Sequence, residues 1–195
     1  MIFSGLTANT AKHLQLDAGC FFKNYNLSTD TPSGAVAKII GATAGGGSFS
    51  AVPTIRQIEI DGKKGAVKGF EALDEWVVTM TANVKEITAD VLKLALAAAS
   101  GSAYTASAAA ASYTKIVATS SLSDSDYVDN ITWIGRVSGS NNPIIIVIKN
   151  ALATNGLTLT TADKSEGVIP ITLTGHYAIS DLETPPFEIY YPTIS

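Results

Sequence analysis

The stretch GATAGGGSFS at residues 41–50 is where the chain comes nearest to a phosphate-binding chemistry. A cradle of the G-x-x-x-x-G-K-[ST] type surrounds phosphates with backbone N–H groups and adds the charge of its lysine. Gly41 and Gly46 have the required separation, but Gly47 occupies the lysine position. The following SFSAVPTIRQIEI contains Pro53 and several β-branched residues, and alternates Ile58 and Ile60 with Gln57 and Glu59, which predicts a strand. Without a helix N-terminus there is no dipole to hold an anion, and the spacing G-x-G-x-x-G does not occur. The glycines read as a mobile loop between strands.

Other reactive side chains are equally short of partners. His176 lies near Asp181 in TGHYAISD and serines are abundant, but no G-x-S-x-G elbow is present, and a histidine on the polar face of a strand is normally solvated. One cysteine and two histidines cannot assemble a zinc site from Cys and His. Cys20, beside Phe21 and Phe22, reads as a small buried apolar side chain. The acidic DSDYVDN at 124–130 lacks the sixth-position glycine and closing glutamate of a calcium loop, and Asp74 and Glu75 are merely adjacent. The sequence therefore predicts no catalytic, cofactor-binding or metal-binding residue. DGKKGAVKG at 61–69 reads either as a basic contact or as a long hairpin arm whose glycines supply positive φ.

The chain has 195 residues, 46% of them hydrophobic, enough for one domain with a core. Charged residues make up 15% against a norm of about 25%, so the surface must be largely Ser, Thr, Asn, Gly and Ala. The net charge of −4 and the scattering of 13 basic residues argue against a phosphate-neutralising nucleic-acid patch. No apolar run reaches the length of a membrane span, and MIFSGLTANTAK lacks the pattern of a signal peptide. The expectation is a soluble protein made in the cytoplasm.

Residues 1–33 read as irregular, with a turn at STDTPSG. Short apolar runs follow at 35–40, 55–60, 76–84, 131–137, 144–148, 169–177 and 187–191. In EWVVTMTANV, Trp76, Val78, Met80, Ala82 and Val84 share one face; in VIPITLTGHY, Ile169, Ile171, Leu173 and Tyr177 do. One wet and one dry face belong to antiparallel sheets. TADVLKLALAAAS predicts a helix over about 88–99, capped by Thr88, with Asp90 in its first turn. The Ala/Ser-rich AAASGSAYTASAAAASYTK at 97–115 reads equally as a helix extension or a loosely ordered insertion. The predicted fold is mainly β: a β-sandwich or partly closed barrel of antiparallel strands with one flanking α-helix, extended loops and terminal arms. Its single domain, 1–195, comprises an N-terminal arm (about 1–33), a loop (about 41–70), an Ala/Ser-rich insertion (about 99–125) and a C-terminal arm (about 178–195). That last arm sets Phe187, Ile189, Tyr190 and Tyr191 among prolines, too apolar to be left in water. It should close its own sheet or dock on a neighbour.

LQLDAGCFFKNY (14–25), the block 39–98 and VIPITLTGHYAISDLETPPFEIYYP (168–192) resemble the major tail (tail tube) proteins of long-tailed bacteriophages. The likeness covers about half of the chain and is strongest in the middle block, where the glycine run, Arg56, the D-G…G…K-G segment, a strand and a helix follow in the family's order. The resemblance implies a structural virion protein without enzymatic activity, made in the host cytoplasm and built into the tail as stacked hexameric rings. DNA would cross the tube without specific binding, and tape measure and tail terminator or initiator proteins would be partners. Residues 41–70 would then include the stacking loop, with Arg56, Asp61, Lys63, Lys64 and Lys68 as inter-ring contacts and Phe187, Ile189, Tyr190 and Tyr191 as C-terminal arm contacts. The lumen wall should expose Ser, Thr and acidic side chains with few Lys or Arg, because a polyanion slides past a wall that does not bind it. The alternatives are the tube of a phage-derived bacteriocin-like particle and an extracellular carbohydrate-binding or adhesin β-sandwich.

Overall fold

The computed structural model of the protein describes residues 4–106 and 111–194. In chain order the strands are β1 (Cys20–Lys23), β2 (Thr43–Gln57) and β3 (Glu71–Val84), then helix α1 (Ala89–Leu96), β4 (Ala99–Ala106), β5 (Ala111–Ala118), β6 (Val128–Gly135), β7 (Ile144–Ala153), β8 (Thr160–Ala162), β9 (Ser165–Thr174) and β10 (Phe187–Tyr190). All pairings are antiparallel. The order β1-β6-β7-β9-β3-β2 forms one sheet, with β10 added to β7 and β8 to β9. It folds over on itself as a β-sandwich and does not close into a barrel. No helix among the described residues is long and apolar enough to cross a membrane.

β7 joins the two layers. It pairs with β6 from Ile144 to Ala151 and with β10 from Ile145 to Ile148, and its end, Leu152 and Ala153, pairs with β9. The change of layer follows Asn150, whose φ of 46° lies in the left-handed region that asparagine tolerates better than most residues. Its Nδ2 donates to the His176 carbonyl at 3.0 Å, and His176 N–H donates to the Lys149 carbonyl at 3.1 Å, fixing the bend.

The alternation predicted for two strands is borne out. Val78, Met80, Ala82 and Val84 of β3 and Ile169, Ile171 and Leu173 of β9 are buried on the inner face, against Phe21, Ile131 and Ile148 of the opposing layer. The opposing layer is covered on its other side too, by Phe22, Tyr25 and Ala35 packed with Ile134. Thr132 is fully buried there, and its hydroxyl donates to Asn130 Oδ1 at 3.1 Å.

α1 closes the sandwich with Val91 and Ala95, and Val91 N–H donates to the Thr88 cap at 3.2 Å. It is shorter than predicted, because Ala97 turns to φ 61° and the chain leaves as β4. The Ala/Ser-rich segment is neither helix nor loose insertion but a hairpin of β4 and β5, with Tyr104 opposite Tyr113. Residues 107–110 of that segment lie outside the described residues.

Three further expectations are corrected. The glycine run is not a loop but part of β2, where a bulge lies between Thr43 and Gly47. Gly45 and Gly46 have φ of 72° and 68°, and a Cβ on Gly47 would sit 2.1 Å from the Thr81 carbonyl oxygen. The N-terminal 33 residues are not wholly irregular, since β1 pairs with β6. The strand predicted through Ile60 ends at Gln57.

Ile171→Ala should lower stability by about 2–5 kcal/mol through lost burial and a cavity, whereas Thr88→Ala, which removes only a cap, should cost about 1 kcal/mol. Thermal melts of both variants against the parent check this ranking.

Candidate assembly surfaces

β2 and β3 stay paired far beyond the sandwich. β9 supports β3 only from Thr79 to Val84, whereas β2 continues against β3 to Gln57↔Glu71. The outer part is thus a free two-stranded ribbon. Trp76 N–H donates to Tyr177 Oη at 2.8 Å at its root, and Trp76 and Phe49 both pack on the ring of Phe187, at centroid distances of 5.4 and 5.8 Å. Beyond this aromatic cluster the ribbon carries apolar side chains in water: Ile55 and Leu73 are cross-strand partners, 58% and 54% exposed, and Val52 pairs with Val77, also exposed. Past the bulge at Thr54/Ile55 come exposed Ile58, Ile60, Val67 and Phe70.

The residues predicted for inter-ring contact all lie on this ribbon. Arg56 Nε reaches Asp74 at 3.2 Å across the strands. Lys63 is turned back on its own hairpin: its side chain is 7% exposed, and Nζ donates to Gln57 Oε1 at 3.0 Å and the Ile58 carbonyl at 3.1 Å. Asp61, Lys64 and Lys68 are exposed at the tip, where Gly62, Gly65 and Gly69 take positive φ, as the hairpin-arm reading expected.

Of the C-terminal residues, Phe187, Ile189 and Tyr190 lie on β10, which pairs with β7 and so lies on the chain's own sheet, and Tyr191 follows it directly. Phe187 points into the aromatic cluster, while Ile189, Tyr190 and Tyr191 are exposed. Lys149 and Glu188 form an ion pair across the two strands. Lys149, and then the Tyr190 hydroxyl, hold the Glu188 carboxyl below its ordinary value of 4.5, while Glu188 pushes the Tyr190 phenol up. Tyr191 Oη lies 3.0 Å from His13 Nδ1, tying the tail to the N-terminal segment.

The outward face of β2, β3 and β9 is a field of hydroxyls. Ser48 pairs with Thr81 and Ser50 with Thr79; Thr79 and Thr81 in turn pair with Thr174 and Thr172. Ser48 Oγ is 2.6 Å from Thr81 Oγ1, and Thr154 Oγ1 is 2.9 Å from Thr174 Oγ1. Asn155 extends the field, donating to the Pro170 carbonyl at 2.8 Å and accepting Thr172 N–H at 2.9 Å. None of these positions is Lys, Arg, Asp or Glu; charges come where the strands run out, at Glu75 and at the Lys85–Glu166 pair.

The side chains weighed for catalysis are engaged elsewhere. His176 Nδ1 is 3.0 Å from the Asn150 carbonyl, and its ring meets Tyr127 edge-on. Asp181 Oδ1 accepts the N–H groups of Glu183 and Thr184, and the Thr184 hydroxyl foremost keeps its carboxyl below the ordinary range. Asp126 accepts from Ser123 N–H and Oγ as a local cap. Cys20 is half-buried, and burial pushes its thiol up. Among the described residues no group of three or more His, Cys, Asp or Glu side chains is placed to hold a metal ion. Below the glycine bulge an apolar groove of about 490 Å³ opens between the layers, walled by Phe21, Phe49, Met80, Trp133 and Ile146.

Two groups escaped the sequence reading. In the exposed pair Ile55/Leu73, the sequence places Ile55 in the apolar run 55–60 and assigns Leu73 to no run, although Leu73 breaks the alternation of β3, which is the available signal. Ile179, 97% exposed, sits on a turn closed by Asp181 N–H donating to the Ala178 carbonyl at 2.9 Å. Compared with known protein families and with curated protein sequences, the chain finds no match.

Glu188 has a folded pKa below its ordinary 4.5, so its contribution is complete above that value and is lost as pH falls through the folded value. Thermal melts should therefore be nearly flat from pH 7 to about 5.5 and drop below about 4.5, and Glu188→Gln should lose part of that drop.

Proposed function

We propose that the chain is a structural subunit of a bacteriophage tail tube, joining copies of itself in stacked hexameric rings whose lumen conducts DNA. The observation that carries this reading is the ribbon of β2 and β3, which leaves the sandwich with apolar side chains exposed on its pairs Ile55/Leu73 and Val52/Val77. A two-stranded hairpin is marginal in water on its own. From Ser50 to Val78 the ribbon and its tip comprise about as many residues as one side of a standard protein interface. Copies of the same chain are the partners that the reading assigns to it.

Two further features support the reading. β2 is an edge strand of 15 residues with its outer backbone groups unpaired by any other described strand, and ring closure pairs such edges without blunting them. The hydroxyl field is the side chain chemistry that a conduit wall requires: wettable, and without cations to condense a polyanion. On this reading that field faces the lumen, which puts Ser48, Thr81 and Thr172 along the path of the DNA. DNA is cargo here, and affinity for it would impede its transit.

Electron microscopy of the purified protein tests the proposal: six-fold rings or hollow tubes are expected, and a uniform monomer at millimolar concentration would overturn it. Leu73→Asp should abolish these particles while changing the stability of the dilute chain by no more than about 0.5 kcal/mol, since Leu73 is exposed there. Particles carrying both Thr79→Lys and Thr172→Lys should retain duplex DNA in a salt-dependent manner, whereas the parent particles should not. Equal retention by both, measured by co-sedimentation, contradicts a lumen wall made of this face.

A further inference from the structure

Self-assembly leaves open which surface of a second copy receives the ribbon tip. Two described surfaces are complementary in charge and in apolar character. The tip, residues 61–69, carries Lys63, Lys64 and Lys68 against Asp61, that is +3 and −1, or +2. Lys63 is folded inward, so Lys64 and Lys68 face water, and neither has an ion-pair partner among the described residues. Beside them Ile60, Val67 and Phe70 are exposed.

The turn at residues 178–184 has the opposite character. It carries Asp181 and Glu183 and no base, or −2. Ile179 is 97% exposed and Leu182 66%. An aliphatic side chain standing almost free in a turn is unusual, since such positions favour Gly, Asn, Asp and Ser. The turn is also rigid. Asp181 N–H donates to the Ala178 carbonyl, and the Asp181 carboxylate accepts two backbone N–H groups at 3.3 and 3.2 Å. The tip is braced likewise by the Lys63 bonds and by Ile58 N–H donating to the Phe70 carbonyl at 2.9 Å. Two preformed surfaces lose little conformational entropy on meeting.

One chain does not satisfy both. The turn follows Tyr177, which is fixed to Trp76 at the ribbon root. From Trp76 to the last pair at Glu71 the ribbon runs five residues, roughly 17 Å, before the tip begins. Turn and tip therefore lie toward opposite ends of the ribbon. A second copy displaced along the ribbon axis would bring its own turn to the first copy's tip.

We infer that the tip of the β2–β3 ribbon docks on the Ile179 turn of a second copy, setting a head-to-tail repeat along the ribbon axis. This rests on the self-assembly reading. The contact is heterologous, and with the displacement along the ribbon axis rather than around a closed ring it generates an open-ended stack. Its apolar centre is Phe70 and Val67 against Ile179 and Leu182, and its rim sets Lys64 and Lys68 against Asp181 and Glu183.

Disulfide trapping tests the contact. In a Cys20→Ser background, chains with Lys64→Cys are mixed with chains carrying Glu183→Cys and oxidised. The mixture is expected to give at least about tenfold more cross-linked dimer than either chain alone. Charge reversal supplies the second arm: Lys64→Glu with Lys68→Glu should raise the concentration needed for assembly about tenfold, and adding Glu183→Lys should restore it. Cross-linking no better than in the single-variant controls overturns the inference. If the parent still forms particles in that case, the tube reading stands and only the docking site is wrong. If the parent forms no particles but the mixed disulfide appears, the contact stands and the tube reading falls.

Discussion

The long shared register of β2 and β3 governs the rest of the structure. Met80↔Phe49 lies in the core and Leu73↔Ile55 in water, yet both belong to one ladder in which each pair positions the next. The inner half is held by burial: Val78, Met80, Ala82 and Val84 alternate into an interior closed by β9, α1 and the opposing layer. The outer half has no such support and is cantilevered from the Trp76–Phe187–Phe49 cluster. The apolar surface of this outer half is exposed by geometry, on a strand pair continuous with the core.

The same alternation gives one sheet two unlike faces. Over residues 78–84 of β3 and 169–174 of β9 every second residue is apolar and buried; those between are Thr, Asn and Pro, with exposed Ser48 and Ser50 beside them on β2. Hydroxyl pairs such as Ser48 with Thr81 satisfy one another on the sheet, so the face is polar without charge. Such a face carries no cation to condense a polyanion, which is what the proposed lining of a passage requires.

How legible this was in the sequence depended on whether a local pattern or a distant partner decides each element. The strands of 76–84 and 169–174 and the Thr88 cap follow from local rules and were readable. The glycine run was not: Gly45–Gly47 by themselves signal a loop, and only pairing with β3 makes them strand, with Gly47 required by its closeness to the Thr81 carbonyl. The Ala/Ser-rich stretch misleads similarly, because alanine favours helix and the segment has little hydrophobic period; the reversal at Ala97 decides it. β1 was hidden because four residues are too few to show a period. For the surfaces, the basic tip was readable from DGKKGAVKG. The exposure of Leu73 and Ile179 depends on where the sandwich ends, which no local pattern reveals.

Hydrogen exchange across the concentration range of assembly addresses the central claim most directly. If copies of the chain complete the ribbon, amides of residues 43–78 should gain protection as particles form, with the edge amides of β2 and the tip gaining most and the already buried amides of β9 changing little. Protection of β2 and the tip that is the same in dilute and concentrated protein would contradict the account.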